Sequence, residues 1–247
     1  MTVTSFTQAL RERTWSGTDV QRAGADGAGF MTDLMTGKGT RDDYIALVAQ
    51  NYFVYAALEA AAEAMAGDPV AARFISPQLT RLPAIEHDLR FLLGDEWRAS
   101  IAPLPTTARY VQRIDEVAAN RWTGGFIAHH YTRYLGDLSG GRIIRSLMQR
   151  SFGFDTNGVG FYLFDQIAEP RAFKCTYRDQ LDAVDWSEQE RDRVIAEVLV
   201  AYGFTTDLFV DLAAAKVVRR LGAPPSLGPP SRTPPRREWR GSPARAP

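Results

Sequence analysis

The stretch that decides the fold is residues 128–148, which read AHHYTRYLGDLSGGRIIRSLM. Both ends have the apolar spacing of a helix, but the middle holds three glycines and a serine, Gly136, Ser139, Gly140 and Gly141. Each glycine inside a helix costs about 1 kcal/mol of stability relative to alanine. Such a segment is favoured where another helix or a flat ligand has to approach the bare backbone. The pattern therefore predicts a helix with a functional face, although close packing of small residues also accounts for any single glycine.

The segments on either side of this stretch are helical by pattern as well. Apolar residues recur every three or four positions in residues 43–65 and again in residues 187–212. Ser187 and Glu190 have the spacing of a capping box at the start of the second segment. Four prolines fall between the periodic segments, where helices begin or end: Pro77, Pro103, Pro105 and Pro170. No Asn-Gly or Asp-Gly pair lies between two alternating runs, so the predicted fold class is all-α.

Composition excludes several classes of protein. The 247 residues carry 29 basic and 29 acidic side chains, whereas a protein held on nucleic acid by phosphate contacts needs a basic excess. The single cysteine, Cys175, excludes an internal disulfide framework. No run approaches the roughly 18 apolar residues of a membrane span, and residues 1–11 lack the pattern of a signal peptide. We therefore expect a cytoplasmic protein with no nucleic-acid partner and no membrane span.

The C-terminal segment differs from the rest of the chain. Residues 222–247 hold eight of the 14 prolines and five arginines against one acidic residue. A segment of this composition cannot bury enough apolar surface to form a core. The sequence thus predicts one helical domain over residues 1–221, followed by a disordered tail over residues 222–247.

The segment YTRYLGDLSGG, residues 131–141, resembles the distal helix of heme oxygenases letter for letter. The segments FMTDLMTGKGTRDDYIALVAQNYFVYAALE, residues 30–59, and FYLFDQIAEPRAFKCTYRDQLD, residues 161–182, extend the similarity over roughly residues 5–212. The resemblance implies a single-domain helical bundle that cleaves heme to biliverdin, carbon monoxide and ferrous iron. It also implies heme with its iron as cofactor and substrate, O2 as oxidant, a ferredoxin or reductase as electron donor, and a monomeric state.

The resemblance assigns site residues too. Gly136 and Gly140 match positions whose backbone approaches the iron-bound ligand, and Asp137 matches the carboxylate that orders distal waters. Lys174 and Arg178, four residues apart on one helix face, match the basic residues that hold the heme propionates. Without the resemblance, this basic pair would be an ordinary solvated face. The other residues expected near the heme are Tyr55, Tyr131, Arg133 and Gly141.

The position expected to hold the iron departs from the family pattern. Counting back without gaps from the FM pair at positions 30 and 31 places Arg22 where the axial histidine should be, and residues 1–86 contain no histidine. A guanidinium stays protonated and offers no lone pair to a metal. His129 and His130 lie about 9–10 Å along the helix axis from Gly136, and we do not expect them to reach the proximal side. The sequence therefore predicts no protein ligand for the iron.

Three alternatives to heme oxygenation stay open. The absent axial histidine favours a pseudoenzyme that binds heme or another tetrapyrrole without efficient turnover. A di-iron oxidase needs clustered His, Asp and Glu ligands, which three histidines, two of them adjacent, supply poorly. A structural role without a ligand is the third. The visible spectrum of the heme-loaded protein separates the first alternative from the enzyme.

Overall fold

The computed structural model describes residues 5–13 and 25–220. Arg22 and residues 222–247, about which the sequence makes specific predictions, lie outside the described residues. Within the described part of the chain, regular secondary structure is helical throughout, and the predicted all-α class is confirmed. The α-helices are α1 (residues 6–13), α2 (Ala25–Met35), α3 (Arg41–Met65), α4 (Leu82–Leu93), α5 (Trp97–Ser100), α6 (Pro105–Ala119), α7 (Thr123–Phe152), α8 (Pro170–Asp182) and α9 (Glu188–Arg220). Short 3-10 helices occupy Ala71–Arg73, Pro77–Leu79 and Gly160–Tyr162.

The start of α3 is fixed by a capping box. The Thr40 hydroxyl accepts a hydrogen bond from the Asp43 backbone N–H, and the Asp43 carboxylate accepts one from the Thr40 N–H. These two bonds satisfy N–H groups that a helix start leaves without intrahelical partners. From there, fully buried Tyr44, Tyr55 and Leu58 recur along the face of α3 that joins the core.

The glycine-bearing segment lies in α7, a helix of 30 residues in the core. α7 runs without interruption from Thr123 to Phe152 and ends at Gly153, which adopts the left-handed conformation with φ 69°. This conformation suits glycine, which has no Cβ to clash with the backbone. α7 packs on α9, α6 and α3, so three helices fix its position.

The loop between α7 and α8 is held by one buried carboxylate. Asp88 of α4 accepts hydrogen bonds from the backbone N–H groups of Gly158, Gly160 and Phe161, at 2.8, 3.0 and 2.8 Å. The Tyr44 hydroxyl donates to the Gly158 carbonyl at 2.6 Å. These bonds satisfy buried backbone groups. They also place the 3-10 helix Gly160–Tyr162 against α7, at the edge of the glycine segment.

Two helices are long and apolar enough to cross a membrane by length and composition alone, α3 and the Glu188–Val218 part of α9. The core helices of soluble bundles meet the same criteria. In α3, 56% of the apolar window is buried inside the protein, and α9 packs along α2, α6 and α7. In α9 only 22% of the apolar window is buried, so burial in the core accounts for the apolar character of α3 more fully than for that of α9.

Candidate functional site

One face of α7 presents bare backbone. A Cβ added at Gly136 or at Gly140 would meet no atom of the described residues within 4 Å. At Gly141 the situation differs, because an added Cβ would lie 3.1 Å from Cδ1 of Tyr162. Gly141 thus lets the loop ring pack closely on the helix, whereas Gly136 and Gly140 leave a surface that a flat ligand can approach. Of the two explanations for the glycines, close packing is observed at Gly141, whereas Gly136 and Gly140 have open space beside them.

Asp137 stands beside this bare surface and is held by Tyr55. The Tyr55 hydroxyl donates a hydrogen bond to Oδ2 of Asp137. The ring of Tyr55 is fully buried, with its centroid 5.3 Å from that of Tyr134 and 5.1 Å from that of Phe161. Although Asp137 as a residue is partly exposed, its carboxyl lies against this buried ring, and desolvation raises its pKa well above the ordinary value. The carboxyl therefore holds a proton at higher pH than a solvated aspartate does.

Arg133 lies in the protein interior, one turn before Asp137. Its Nη2 donates to Oδ1 of Asn51 at 2.9 Å, and its guanidinium carbon lies 5.2 Å from the centroid of the Tyr55 ring. Its Nε is buried and has no hydrogen-bond partner among the described residues. Burial lowers the pKa of Arg133 from its ordinary value. Arg133 therefore supports the ring that holds Asp137.

Three cationic side chains on α7 and α8 are candidates to bind an anionic ligand group: Arg145 of α7, and Lys174 and Arg178 of α8. Nζ of Lys174 donates to the hydroxyl of Ser139 at 2.9 Å, which brings α8 to the glycine segment. The Nε atoms of Arg145 and Arg178 are buried and have no hydrogen-bond partner within the described part of the chain. Burial, together with the neighbouring charge of Arg178, lowers the pKa of Lys174. The neighbouring pair Lys174 and Arg178 is thus suited to bind an anionic ligand group.

Tyr131 is buried and packs toward α8, with its ring centroid 6.2 Å from that of Tyr177.

The remaining predicted site residues fall into two groups. Asp137 and its supports Tyr55 and Arg133 form one. The glycines of α7 form the other, and Ser139 within that segment receives Lys174 of α8.

Sequence reasoning missed the contacts that Asn51 and Tyr162 make at the site. Asn51 binds Arg133 across 82 positions of the chain, and Tyr162 packs on Gly141 from the following loop. Tyr162 lies within the quoted segment 161–182, but nothing local marks it as a partner of Gly141. The loop that carries Tyr162 is anchored by Asp88 of α4. An acidic residue within a helical pattern was the available signal, but its burial is visible only in the structure.

The histidines are engaged elsewhere. Nε2 of His129 lies 2.9 Å from the Glu197 carboxylate, and Nδ1 of His130 lies 3.0 Å from the Tyr177 hydroxyl. His87 is exposed and hydrogen-bonds Asn157. Among the described residues, no group of three or more His, Cys, Asp or Glu is arranged to hold a metal ion.

Comparison with known proteins identifies the family. The family model described as heme oxygenase matches residues 4–211. Heme oxygenase 1 from Nostoc sp. is 36% identical over 207 residues, which are 83% of this chain and 86% of that protein. Heme oxygenase 1 from Homo sapiens is 35% identical over 84% of this chain and 73% of its own length. The crystal structure of heme oxygenase-1 from Synechocystis sp. in complex with heme superimposes with a TM-score of 0.79 at 30% identity, covering 88% of this chain and 96% of that one.

The chain belongs to the heme oxygenase family. The family membership expected from residues 131–141 is thereby confirmed, as is the helical-bundle fold. Heme oxygenases are enzymes, and heme oxygenation is the function that this membership favours, with heme as both cofactor and substrate.

The residues present on α7 and α8 fit a heme. Heme is a flat, largely apolar ring with two carboxylate arms and an iron at its centre. The bare backbone at Gly136 and Gly140 suits the flat ring, since side chains there would fill the space. The buried Nε atoms of Arg145 and Arg178, which lack partners among the described residues, suit the carboxylates. The flat ring and the carboxylates of heme thus each have suitable residues in this heme oxygenase.

Proposed function

We propose that this heme oxygenase cleaves heme to biliverdin, carbon monoxide and ferrous iron, with O2 as oxidant and electrons from a protein donor. The observation that carries the proposal is the bare face of α7 at Gly136 and Gly140, with the Asp137 carboxyl fixed beside it by Tyr55. When bound, heme supplies the iron that activates dioxygen for attack on the porphyrin itself.

The residues proposed to bind the heme ring lie on α7, and those proposed to bind its propionates lie on α8. The backbone of Gly136 and Gly140 gives the heme ring close access to α7, and Gly141 lets Tyr162 pack on the helix beside that face. Lys174 and Arg178 bind and orient the propionates through charge-assisted hydrogen bonds. We also propose that Tyr131, Arg133 and Tyr55 lie near the heme. Tyr55 supports Asp137 by a hydrogen bond, and Arg133 does so indirectly, by packing on the Tyr55 ring.

Asp137 is proposed to order water and hold a proton on the reacting side of the heme. Its Oδ2 receives the Tyr55 hydroxyl, while Oδ1 makes no hydrogen bond to a described residue. Oδ1 is therefore the atom available to water. Burial raises the pKa of this carboxyl, so it holds a proton more readily than a solvated aspartate and can pass that proton to water at Oδ1.

The experiment is a hemin titration followed by turnover with a ferredoxin or a reductase as donor. We expect stoichiometric binding and a biliverdin product in the natural chain. Asp137→Ala should retain heme binding but divert heme loss to products other than biliverdin, and Asp137→Asn serves as the isosteric control for the charge. An unchanged biliverdin yield in Asp137→Ala would remove the role given to this residue.

The electron donor is proposed to be an acidic protein. Residues 138–152 of α7 contain Arg142, Arg145 and Arg150 and no acidic side chain. Arg142 and Arg150 are exposed. Surfaces of opposite charge speed association, and this effect weakens as salt is added. Turnover at subsaturating donor should therefore fall steeply with ionic strength, whereas hemin binding should fall less.

A heme-binding pseudoenzyme is the second candidate function, favoured by Arg22 at the predicted axial position. His129 and His130 are bound to Glu197 and Tyr177 and offer no replacement ligand. The ferrous carbonyl spectrum separates the candidates, since histidine ligation and weak ligation have different spectra. Arg22→His should shift that spectrum toward histidine ligation and accelerate heme loss under reductant. A natural chain that already has a histidine-ligated spectrum, unchanged by Arg22→His, would refute the assigned position.

We also propose that the protein is a cytoplasmic monomer, with one domain over residues 1–221. The support is a single hydrophobic core among the described residues, with few large apolar side chains exposed: Phe91, Ile143, Val200, Val210, Val217 and Val218. Light scattering coupled to gel filtration measures the mass directly. A mass of twice the 27.4 kDa chain would replace the monomer by a dimer.

A further inference from the structure

We propose that His130 and Tyr177 are positioning residues for heme binding, which set the placement of α8 on α7 and thereby the reach of Lys174 and Arg178. This inference rests on the proposed function, because it assumes that the basic pair binds the propionates. It assigns a use to a buried histidine that the catalytic site does not need.

α8 is attached to the bundle by few side chains. Of its 13 residues, only Tyr177 and Leu181 are buried. At the C-terminal end of α8, the Asp182 carboxylate accepts hydrogen bonds from the Thr7 backbone N–H and hydroxyl, both at 2.7 Å. Tyr177 is therefore the buried contact of α8 that lies nearest the two basic residues, and it sets where they project.

Tyr177 is clamped between two elements. Its hydroxyl lies 3.0 Å from Nδ1 of His130, and the two rings are nearly parallel, with an interplanar angle of 12°. The ring of Phe74 lies 4.9 Å away, centroid to centroid. One hydrogen bond and ring contacts with His130, Phe74 and Tyr131 thus hold a single side chain in one orientation.

The hydrogen bond joins two neutral groups over the working pH range. Burial lowers the pKa of the His130 imidazole to about 3, so the ring is uncharged at neutral pH. Burial, with a smaller contribution from Tyr131, raises the pKa of Tyr177 well above the ordinary value. Either the Tyr177 hydroxyl or an Nδ1–H of His130 can donate, and in both cases the bond joins uncharged groups near neutral pH.

Tyr177 sits between the two basic residues in the helical register. Lys174 precedes it by three positions and Arg178 follows it directly, so one clamped residue fixes both. Lys174 reaches Ser139 at 2.9 Å in this arrangement, and Arg178 keeps its Nε buried without a described partner. Rotation of α8 would withdraw both cations from the glycine segment together.

The test measures the hemin dissociation constant of the full chain by absorbance titration. Tyr177→Phe keeps the ring and removes the hydroxyl, and we expect the constant to rise about fivefold. His130→Phe tests the same bond from its other end and should have a similar effect. Tyr52→Phe is the matched control, because its hydroxyl hydrogen-bonds Arg98 at the α3–α5 contact, and it should leave the constant unchanged.

The decisive measurement repeats Tyr177→Phe in a chain that already carries Lys174→Ala and Arg178→Ala. A positioning role predicts less than a twofold further change there, because the residues being positioned are gone. A general loss of packing would weaken hemin binding equally in both backgrounds, and that outcome overturns the proposal. If Tyr177→Phe does not fold, as judged by circular dichroism, His130→Phe is carried through the same cycle.

The outcomes distinguish this inference from the proposed function. A natural chain that binds hemin, while Tyr177→Phe and His130→Phe bind it equally well, overturns the positioning role alone. A natural chain that binds no hemin overturns both.

Discussion

The two halves of α7 differ in burial, although they form one continuous helix. All twelve residues from 124 to 135 are buried, whereas only Leu138, Gly141 and Met148 are buried among the seventeen from 136 to 152. A helix buried all round must find partners for its polar side chains inside the protein. A helix with an open face can leave that face to a ligand.

The polar side chains of the buried half bind three different helices. His129 binds Glu197 of α9, His130 binds Tyr177 of α8, and Arg133 binds Asn51 of α3. The open half makes fewer cross-helix bonds, among them that between Ser139 and Lys174. The comparison indicates that the first half fixes the position of the helix and the second half uses that position for binding. Variants in the two halves should therefore change different quantities.

The largest expected effect is on stability, through Glu197. Its carboxylate is buried and accepts hydrogen bonds from Nε and Nη2 of Arg113, both at 2.8 Å, in addition to its contact with His129. Burial by itself would raise the pKa of Glu197, but the bonds from Arg113 and His129 outweigh it and lower the pKa to about 2. We expect Glu197→Gln to lower the free energy of unfolding at pH 7 by about 3 kcal/mol, measured by urea denaturation.

The lowered pKa of Glu197 also determines how its contribution to stability depends on pH. Since the folded-state pKa lies below the unfolded value, this contribution is present above about pH 4.5 and is lost as the pH falls toward 2. The difference between Glu197→Gln and the natural chain should therefore shrink over that range. Glu116→Gln is the control, because Glu116 meets the same Arg113 at 3.5 Å but is 46% exposed, and it should change stability by less than about 1 kcal/mol. Equal losses for the two variants would contradict the contrast between buried and exposed partners.

The next effect is on binding alone, through the basic pair of α8. Lys174→Ala with Arg178→Ala should raise the hemin dissociation constant about tenfold or more, which is on the order of 1.4 kcal/mol. The free energy of unfolding should stay within about 0.5 kcal/mol, because both residues are partly exposed. Arg171→Ala, on an exposed position of the same helix, is the matched control and should bind hemin normally. A dissociation constant unchanged in the double variant would move the propionate contact elsewhere.

A smaller effect is expected in the open half of α7, where alanine variants should raise stability and weaken hemin binding. Gly136→Ala and Gly140→Ala should each stabilise the heme-free protein by about 0.5–1 kcal/mol, because alanine favours the helix and its Cβ meets no described atom. The same methyl groups should weaken hemin binding by occupying the bare face. Gly141→Ala should gain less stability, since its Cβ would lie 3.1 Å from Cδ1 of Tyr162. Thermal melts of the three variants rank them, and a gain at Gly141 equal to the other two would contradict the close packing.

The smallest effect concerns a segment that belongs to neither half. A chain ending at Leu221 should keep its helical circular dichroism and a thermal midpoint within about 1 °C of the full chain, because residues 222–247 have no composition for a core. A midpoint lower by several degrees would show that the tail packs on the bundle.

The sequence by itself determined the local features of this protein. The helical period placed α3 and α9, and the pair Ser187 and Glu190 marked the start of α9, where the Glu190 N–H does bond the Ser187 hydroxyl at 3.1 Å. Pro105 and Pro170 each begin a helix as expected. These features depend on residues within one or two turns of each other, so their physical causes can be read from neighbouring letters. The segment 131–141 was specific enough to indicate the family.

Only the tertiary structure decided how the site is supported. Tyr55 and Asp137 are 82 positions apart, His130 and Tyr177 are 47 apart, and His129 and Glu197 are 68 apart. Periodicity tells which face of a helix is apolar, but it does not tell which helix that face meets or at what angle they cross. Those choices are made by the fit of whole side-chain surfaces across α3, α7, α8 and α9. The partners of a buried polar group are settled by that packing, because the group must find its hydrogen bond wherever the chain folds around it.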